Sequence, residues 1–375
     1  MQGRVELAEA FISEVIGSFQ QNSSLPDTTL LNSMLQEAVA TLAAENPEKR
    51  PYSVSAHGKL PGGFVRLSAP YVILIPDLHA RFNFLSAVLN ACIQAEGLWG
   101  ESRTLLDAMD SRLLEIVCLG DILHGESPES AQNWVLAAEK FAKDGLDESL
   151  LSFEMDTEMG DSLVALMLVM KIKALFSESF HCLKGNHDNM SNSSLDGDFA
   201  FYKYAREGAM SAAWFRLRYG DDLMKQMRTY ERFLPLVATG RWFCASHAEP
   251  RRAISIEDLL YYRERPDVVT DLIWTANGSA EEGSVHESLL NLITTSNLAG
   301  CKALWFSGHR PVSGHYALRQ NGALVQIHSH TKNQVVLLHN GQDCVQWSAH
   351  NGLLSPRAVF LELDGKYLKP TAILH

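Results

Sequence analysis

The sequence lacks the cysteine pairs that mark redox-active proteins and zinc ribbons. Its six cysteines are widely spaced, and none belongs to a Cys-X-X-Cys pair. This spacing argues against a zinc ribbon and a redox dithiol. Cysteines within apolar runs such as EIVCLGD and RWFCAS typically behave as small, buried hydrophobic side chains. We therefore expect a reducing compartment.

Long uninterrupted hydrophobic segments are also missing. The segment MQGRVELAEAFISEVIGSFQ has no cationic start followed by an apolar block, so it does not resemble a signal peptide. The most apolar later run, LVALMLVMKIKALF, is interrupted by Lys171 and Lys173 and is too short to cross a bilayer. These features predict a cytoplasmic protein without a membrane partner.

An excess of positive charge is the third absence. The formal net charge is -12, which argues against a nucleic-acid partner because such binding depends on clustered Lys and Arg. A small phosphorylated substrate is compatible with this charge, since a metal ion or local arginines can reverse the field inside one cleft. The hydrophobic content of 46% and charged content of 20% over 375 residues are typical of a folded globular protein.

Residues 1–50 carry two amphipathic helical patterns. Apolar residues recur at helical spacing over residues 8–19 and again over residues 31–42. Pro26 and Asp27 precede the second pattern, and Asn46 and Pro47 follow it, as helix start and stop signals do. We predict an N-terminal helical hairpin that either packs on the main domain, which is the usual role of such helices, or binds a partner.

Residues 51–375 alternate between strand-like and helical patterns. Five apolar runs each end in polar residues: YVILIPDLH, LEIVCLGD, HCLKGNHD, WFCASHAE and ALWFSGHR. The helical patterns SAQNWVLAAEKFA and DSLVALMLVMKIKALF lie between some of them. This alternation predicts an α/β catalytic domain in which helices cover a sheet.

Every one of the five runs delivers an Asp, Asn or His at its carboxyl end. These residues are Asp77, His79, Asp121, Asn186, His187, His247 and His309. Because ligands of open α/β sheets bind beyond the carboxyl ends of the strands, these side chains can converge on one rim. Such mixed donors suit Mn, Fe or Zn better than Ca. Two cations roughly 3.5 to 4 Å apart form the clamp of many phosphate-ester hydrolases.

The motifs PDLHAR, GDILHGE, KGNHD, SHAEP and SGHRP resemble, in order and spacing, five successive motifs of the calcineurin-like metallophosphoesterases. The chain is most similar to the phosphoprotein phosphatase branch, which includes the Ser/Thr phosphatases, and the stretch TDLIWT is similar to another landmark of that branch. The resemblance implies a four-layer fold of two packed mixed β-sheets flanked by helices. The N-terminal hairpin and an insertion at about 126–160 lie outside it.

The resemblance also implies two divalent metal ions, of which manganese is favoured and iron or zinc are possible. Their ligands would be Asp77, His79 and Asp121 for one ion, and Asp121, Asn186, His247 and His309 for the other. His187 would protonate the leaving alkoxide. The implied reaction is hydrolysis of a phosphomonoester, on a protein or a small molecule, by a hydroxide that bridges the metals.

Two positions after the bridging aspartate depart from the branch. Where its members have Asp and then Arg, this chain has His124 and Gly125. In the branch that Asp orients the catalytic histidine and that Arg binds phosphate. His124 could replace the Asp only as a neutral hydrogen-bond partner of His187.

A second phosphate-binding arginine of the branch has no match in ANGSAEEGSVHES. We predict that Arg310, Arg81 and Asn186 bind the substrate phosphate. For the two arginines the reason is that a guanidinium fork matches paired phosphate oxygens. Pro311 stands where many phosphodiesterases and nucleases of the superfamily carry a second histidine ligand, which favours the phosphatase branch.

Two other functions fit the sequence. One is hydrolysis of a nucleotide polyphosphate such as a dinucleoside polyphosphate, which some bacterial relatives in the branch perform. The other is a metal-bound binding protein with little activity, indicated by His124, Gly125 and the missing arginine. His315, His328 and His330 either line the cleft or belong to the core. The segment 126–160 either shapes the mouth of the cleft or forms a solvated helical face.

Overall fold

The structure is a computed structural model that describes residues 3–22, 25–55, 58–93, 103–294, 302–341 and 358–374. Its strands are β1 (Tyr52–Ser55), β2 (Gly58–Pro61), β3 (Phe64–Arg66), β4 (Tyr71–Ile75), β5 (Cys92–Ile93), β6 (Leu114–Cys118), β7 (Phe180–Cys182), β8 (Val237–Thr239), β9 (Phe243–Ser246), β10 (Leu304–Ser307), β11 (Ala317–Arg319), β12 (Leu324–Gln326), β13 (Gln334–His339), β14 (Ala358–Asp364) and β15 (Tyr367–Leu374). Its helices are α1 (Arg4–Asn22), α2 (Thr28–Ala43), α3 (Phe82–Leu89), α4 (Leu105–Asp110), α5 (Pro128–Asp144), α6 (Phe153–Leu175), α7 (Glu207–Phe233), α8 (Ile256–Leu260), α9 (Pro266–Ile273) and α10 (Ser284–Leu292). Within the described residues, no helix is long and apolar enough to span a membrane.

The predicted N-terminal hairpin is formed by α1 and α2. Asp27 caps α2, because its Oδ1 accepts hydrogen bonds from the main-chain N–H groups of Thr29 and Leu30. The apolar faces of both helices join the hydrophobic cluster that also contains sheet residues such as Ile73 and Ile116. The hairpin therefore contributes to the main core. Its separation from the rest as a domain stays a prediction.

Two mixed sheets form the centre of the molecule. One has seven strands in the order β5-β15-β14-β13-β4-β6-β7, and the other has six in the order β11-β12-β10-β9-β8-β3. In the first sheet β4, β6 and β7 run parallel. In the second, β9, β10 and β12 run parallel. All five apolar runs of the sequence analysis are strands of these two sheets.

Three hydrophobic clusters separate four layers. One cluster contains residues from both sheets, such as Leu74 and Val117 from the first and Phe243 and Phe306 from the second, and it fills the space between them. A second cluster covers the outer face of the seven-stranded sheet with helices α1 to α7. The third packs the outer face of the six-stranded sheet against α8, α9 and α10. The structure confirms the predicted fold of two packed mixed sheets flanked by helices.

Alternation along each strand explains this layering. In β4, Val72 and Leu74 face the inter-sheet cluster, whereas Ile73 and Ile75 face the helical cluster. Successive side chains of a strand point to opposite faces, so a continuous apolar run is required when both faces are covered. This is why the five runs lack the polar alternation of a solvent-exposed sheet.

Candidate functional site

The predicted donors do converge at one rim of the two sheets. The parallel strands β4, β6 and β7 end in register at Ile75, Cys118 and Cys182. In the second sheet β9 and β10 end in register at Ser246 and Ser307. The short loops after these strands carry all of the predicted metal ligands.

The first group of donors comes from the loops after β4 and β6. His79 Nε2 lies 4.0 Å from Asp77 Oδ2 and 3.7 Å from Asp121 Oδ2. Two ligand atoms that each lie about 2.1 to 2.2 Å from one cation are separated by about 3.0 to 4.4 Å, depending on the angle between them. The three side chains therefore have the spacing of ligands to one cation.

The second group comes from the loops after β6, β7, β9 and β10. His247 Nε2 lies 2.9 Å from Asn186 Oδ1, 3.2 Å from His309 Nδ1 and 3.4 Å from Asp121 Oδ2. These separations also fit one cation. Asp121 Oδ2 faces both His79 and His247, so its carboxylate is placed to bridge the two groups.

Main-chain carbonyls set the orientation of two imidazoles. Nδ1 of His247 lies 3.1 Å from the Leu119 carbonyl oxygen, and Nδ1 of His79 lies 3.1 Å from that of His124. An N–H at Nδ1 donates to each carbonyl, which leaves the lone pair on Nε2. Such outer hydrogen bonds are typical of metal-ligating histidines.

The electrostatics of the rim favour a bound cation. Burial, together with the charges of Asp121 and Glu126 and against the lowering effect of His247, raises the pKa of Asp77 to about 7. Burial also raises the pKa of Asp121 well above its usual value, and Asp188 adds to this effect. A divalent cation reverses this balance because it stabilises the ionised carboxylates.

The imidazoles of the rim are held in the form that ligates metals. Burial lowers the pKa of His79 to about 4, and it lowers the pKa values of His247 and His309 as well. Neutral imidazole is the metal-binding form. In addition, Asp77 Oδ1 and His309 Nε2 are buried and have no hydrogen-bond partner in the described part of the chain. The donor set and its spacing fit a pair of divalent cations.

Two glycines of the motifs allow the loops to approach each other. A Cβ atom on Gly308 would lie 1.8 Å from Asp77 Oδ1, and one on Gly185 would lie 2.2 Å from Asp121 Oδ1. Any larger residue would displace a ligating carboxylate. This contact explains why Gly precedes both Asn186 and His309 in the sequence.

His187 lies beside the bridging aspartate. Its main-chain N–H donates to Asp121 Oδ1 at 2.8 Å, and its ring stacks on Phe201 with centroids 3.9 Å apart. The ring centroid of His79 is 5.1 Å away. Nδ1 of His187 is buried, and no described residue forms a hydrogen bond with it. The imidazole therefore borders the donor groups with one nitrogen uncommitted.

The structure shows no hydrogen bond between the rings of His124 and His187. The two ring centroids are 5.5 Å apart, and Nε2 of His124 lies 3.0 Å from Ser211 Oγ on α7 instead. Nδ1 of His124 has no hydrogen-bond partner. The His124 ring is held by packing against Phe201, at a centroid distance of 4.5 Å. A catalytic role of His124 stays a prediction.

The two predicted phosphate-binding arginines differ in their surroundings. Arg81 donates from Nη2 to the Asp77 carbonyl oxygen at 2.6 Å and from Nε to that of Leu78 at 3.1 Å, so it braces the loop after β4. The Arg310 side chain is exposed and makes no hydrogen bond or ion pair within the part of the chain that the structure describes. Arg310 thus keeps its donors available.

A cleft of about 590 Å³ opens beside His79. Its lining includes Arg81, Glu126, Lys203, Tyr204, His328 and His330. Ser127, Pro128 and Ser130 line it as well, so the start of the 126–160 segment contributes to the mouth of the cleft. Glu126 closes the motif GDILHGE, yet its role was not predicted, and neither was that of Lys203.

Asp188 is a further residue whose role the sequence did not reveal. Its carboxylate accepts three main-chain hydrogen bonds at 2.8 Å, from Asp121, Ile122 and Gly185. It therefore locks the loop after β6 to the loop after β7. In the sequence, only the position of Asp188 in the GNHD motif pointed to a role at the site.

The three late histidines occupy different environments. His328 is buried at the rim, His330 is exposed at the edge of the cleft, and His315 lies away from it with Nδ1 3.0 Å from Gln334 Oε1. The sequence analysis left both possibilities open for each of them.

The fold and the site together define a metal-dependent phosphoesterase. Residues 70–338 match the calcineurin-like phosphoesterase family, and the chain belongs to this family. Its members use divalent metal ions, as the resemblance of the motifs implied. The comparison with curated proteins found no match.

One solved structure supports the same fold. A protein serine/threonine phosphatase from Saccharomyces cerevisiae, with similarity to human phosphatase PP5, aligns over 98% of this chain and 96% of its own with a TM-score of 0.54 and 12% identity. A cold-active protein-tyrosine phosphatase of a psychrophilic Shewanella species aligns over 74% and 77%, with a TM-score of 0.39 and 14% identity. At such identities the first similarity concerns the fold alone.

Proposed function

We propose that the protein is a dinuclear metal-dependent phosphatase that hydrolyses a phosphomonoester, of the Ser/Thr protein phosphatase type. The observation that carries the proposal is the shared carboxylate of Asp121, whose Oδ2 lies 3.7 Å from His79 Nε2 and 3.4 Å from His247 Nε2. Two divalent cations at these donors would supply Lewis-acid charge and a water of lowered pKa. Manganese is the metal we favour, with iron or zinc as the alternatives.

His187 is our candidate for the proton donor to the leaving oxygen. It borders the bridging Asp121 and has an uncommitted Nδ1. Burial lowers its pKa well below the usual value, and neighbouring imidazoles lower it further. No carboxylate accepts a hydrogen bond from this ring within the described residues. We therefore expect a contribution near the lower end of the roughly 10² to 10⁴-fold range of general acid catalysis.

Arg310 is our first candidate for binding the substrate phosphate. Its exposed guanidinium follows the ligand His309 directly and is free for a bidentate contact. Arg81 has already committed Nε and Nη2 to carbonyl oxygens, which leaves fewer donors for a substrate. The amide nitrogen of Asn186 is the third donor, because its Oδ1 faces His247. An Arg310→Ala variant should raise the KM for a phosphomonoester, and an unaltered KM would remove this assignment.

Hydrolysis of a nucleotide polyphosphate is the second candidate activity. The cleft of about 590 Å³ is lined by Arg81 and by Lys203, which pairs with Glu126, and these two side chains are the candidate donors for phosphoryl groups beyond the first. We place either substrate in the cytoplasm, since Cys92, Cys118, Cys182 and Cys244 carry free thiols. A nucleic acid is not among the partners that we propose.

Parallel assays with added Mn²⁺ separate these activities. The substrates are para-nitrophenyl phosphate, a phosphopeptide and a dinucleoside polyphosphate, each offered to the wild type and to Asp121→Asn. We expect turnover of the monoesters and a large loss in the variant, together with fewer bound metal ions by elemental analysis. Asp110→Asn, on the exposed ion pair with Arg4, is the matched control. Metal binding without turnover of any substrate would favour a binding protein instead.

A further inference from the structure

A sixth strand end reaches the rim beside the predicted donors. Strand β12 pairs with β10 in parallel, and Gln326 lies in register with Ser307. His328 therefore follows β12 at the level where His309 follows β10. The His328 carbonyl oxygen accepts the Val312 N–H at 2.8 Å, which ties this residue to the loop after β10.

The His328 imidazole is buried and unpaired. Only 2% of the residue is exposed, and neither Nδ1 nor Nε2 has a hydrogen-bond partner among the residues that the structure describes. Buried polar atoms are nearly always satisfied, because an unsatisfied one loses its hydration without compensation. A ring with two such atoms at a rim of metal donors calls for a ligand.

The position of the ring identifies that ligand as a cation. His328 Nδ1 lies 3.8 Å from Asp77 Oδ2, and the ring centroid lies 5.5 Å from that of His79. One donor atom each of Asp77, His79 and His328 lies within 4.8 Å of the others. The 3.8 Å separation is within the about 3.0 to 4.4 Å expected for two ligands of one cation.

We propose that His328 is a further protein ligand of the first cation, beside Asp77, His79 and Asp121. The inference rests on the proposed dinuclear centre. With this ligand the first ion has two nitrogen donors, from His79 and His328. The second ion also has two, from His247 and His309. A neutral nitrogen donor adds no charge and shifts the preference of a site from Mg²⁺ towards Mn²⁺, Fe²⁺ and Zn²⁺.

A separate third cation between Glu126, His328 and His330 is the competing arrangement. His330 Nδ1 is 3.0 Å from Glu126 Oε2, and Lys203 Nζ is 2.6 Å from Glu126 Oε1. Glu126 Oε1 is thus paired with Lys203, whereas its Oε2 is buried without a hydrogen-bond partner within the described residues, and the side chain of His330 is 39% exposed. Asp77, His79 and His328 are all buried, whereas Glu126 is partly exposed and His330 is exposed, and this difference in burial favours the first arrangement.

Equilibrium dialysis against Mn²⁺, with elemental analysis, tests the proposal without an activity assay. The wild type should bind two Mn²⁺ ions per chain. His328→Ala should keep one ion with an unaltered Kd and bind the other at least about 10-fold more weakly. His315→Ala is the matched control, since His315 lies outside the rim and its Nδ1 faces Gln334. Thermal unfolding of each variant checks that it is folded.

The possible results separate this inference from the proposed function. A wild type that binds fewer than two ions contradicts the dinuclear centre itself. Two ions in the wild type and the same affinities in His328→Ala overturn the inference alone. Three ions in the wild type, with one lost in Glu126→Gln, would favour the competing arrangement. If His328→Ala does not fold, anomalous diffraction from the manganese-loaded wild type decides the question. A metal within about 2.3 Å of a His328 ring nitrogen supports His328 as a ligand, and a metal beyond about 3 Å refutes it.

Discussion

Replacing Gly308 by alanine should disable the metal centre through a single steric contact. An added Cβ would lie 1.8 Å from Asp77 Oδ1 and 2.9 Å from its Cγ. Real Cβ atoms essentially never approach within 3.0 Å, so the carboxylate must move by about 1 Å or more. Asp77 is fully buried, and its Oδ2 accepts the His309 N–H at 2.8 Å, which leaves little room for this movement.

The size of the effect follows from the role of Asp77. A displacement of about 1 Å in a catalytic constellation can cost about 10²-fold in rate. We therefore expect kcat/KM for a phosphomonoester to fall by about 100-fold in Gly308→Ala. The affinity for Mn²⁺ should fall with it, because the same carboxylate belongs to the first donor group.

Gly314→Ala provides the matched control in the same segment. The nearest atom to its added Cβ is the Tyr316 carbonyl oxygen at 3.9 Å, an ordinary contact. Both substitutions restrict the unfolded chain equally. Activity, Mn²⁺ binding and thermal unfolding are measured on both variants and the wild type. A Gly308→Ala protein that keeps activity and Mn²⁺ affinity within a few-fold of Gly314→Ala would refute the placement of Asp77 in the centre.

Three further predictions concern stability. Burial raises the pKa of Glu45, but the surrounding cations, Lys173 foremost, outweigh it and lower the value from 4.5 to about 2. The carboxylate therefore contributes stability above pH 4.5 that is lost as the pH falls towards 2, about 3 kcal/mol in all. Burial lowers the pKa of Lys173 itself, which offsets part of the gain, but Lys173 stays protonated in this acidic window. Urea titrations should show a shallower decline with acid for Glu45→Gln than for the wild type, and parallel declines would contradict this. In Asp188→Asn at least one buried main-chain N–H loses its acceptor. The free energy of unfolding measured by urea titration should therefore fall by about 1 to 3 kcal/mol. An unchanged value would argue against the role of Asp188 in locking the two loops together. Mn²⁺ at 100 times its Kd should stabilise the fold by about 2.7 kcal/mol per site. Calorimetry with Mn²⁺ and then with a chelator checks this, and a constant Tm would show that no folded-state site is filled.

Much of the fold was predictable because its signals are local. Apolar runs such as YVILI and LEIVC are buried on both faces of a sheet, and that burial imposes a continuous hydrophobic pattern. The hairpin was predictable from helical periodicity and from the cap at Asp27. The very short strands β8, β11 and β12 gave no such signal, since three residues carry too little pattern.

The ligand set was predictable because each member directly follows a strong strand pattern. The sequence left open whether His124 hydrogen-bonds to His187. The structure instead places Nε2 of His124 beside Ser211 Oγ, on a helix that is distant in sequence. Arg81 lines the cleft beside His79, yet no pattern revealed that carbonyl oxygens occupy two of its donor groups.

The sequence by itself determined which residue types stand at the strand ends, because a strand and its exit are encoded within about ten neighbouring residues. Only the tertiary structure decided which of these ends meet. The order of strands brings β12 beside β10, and this places His328 near Asp77. Such a contact depends on the packing of two sheets across a shared core, and no local stretch of the chain carries that information.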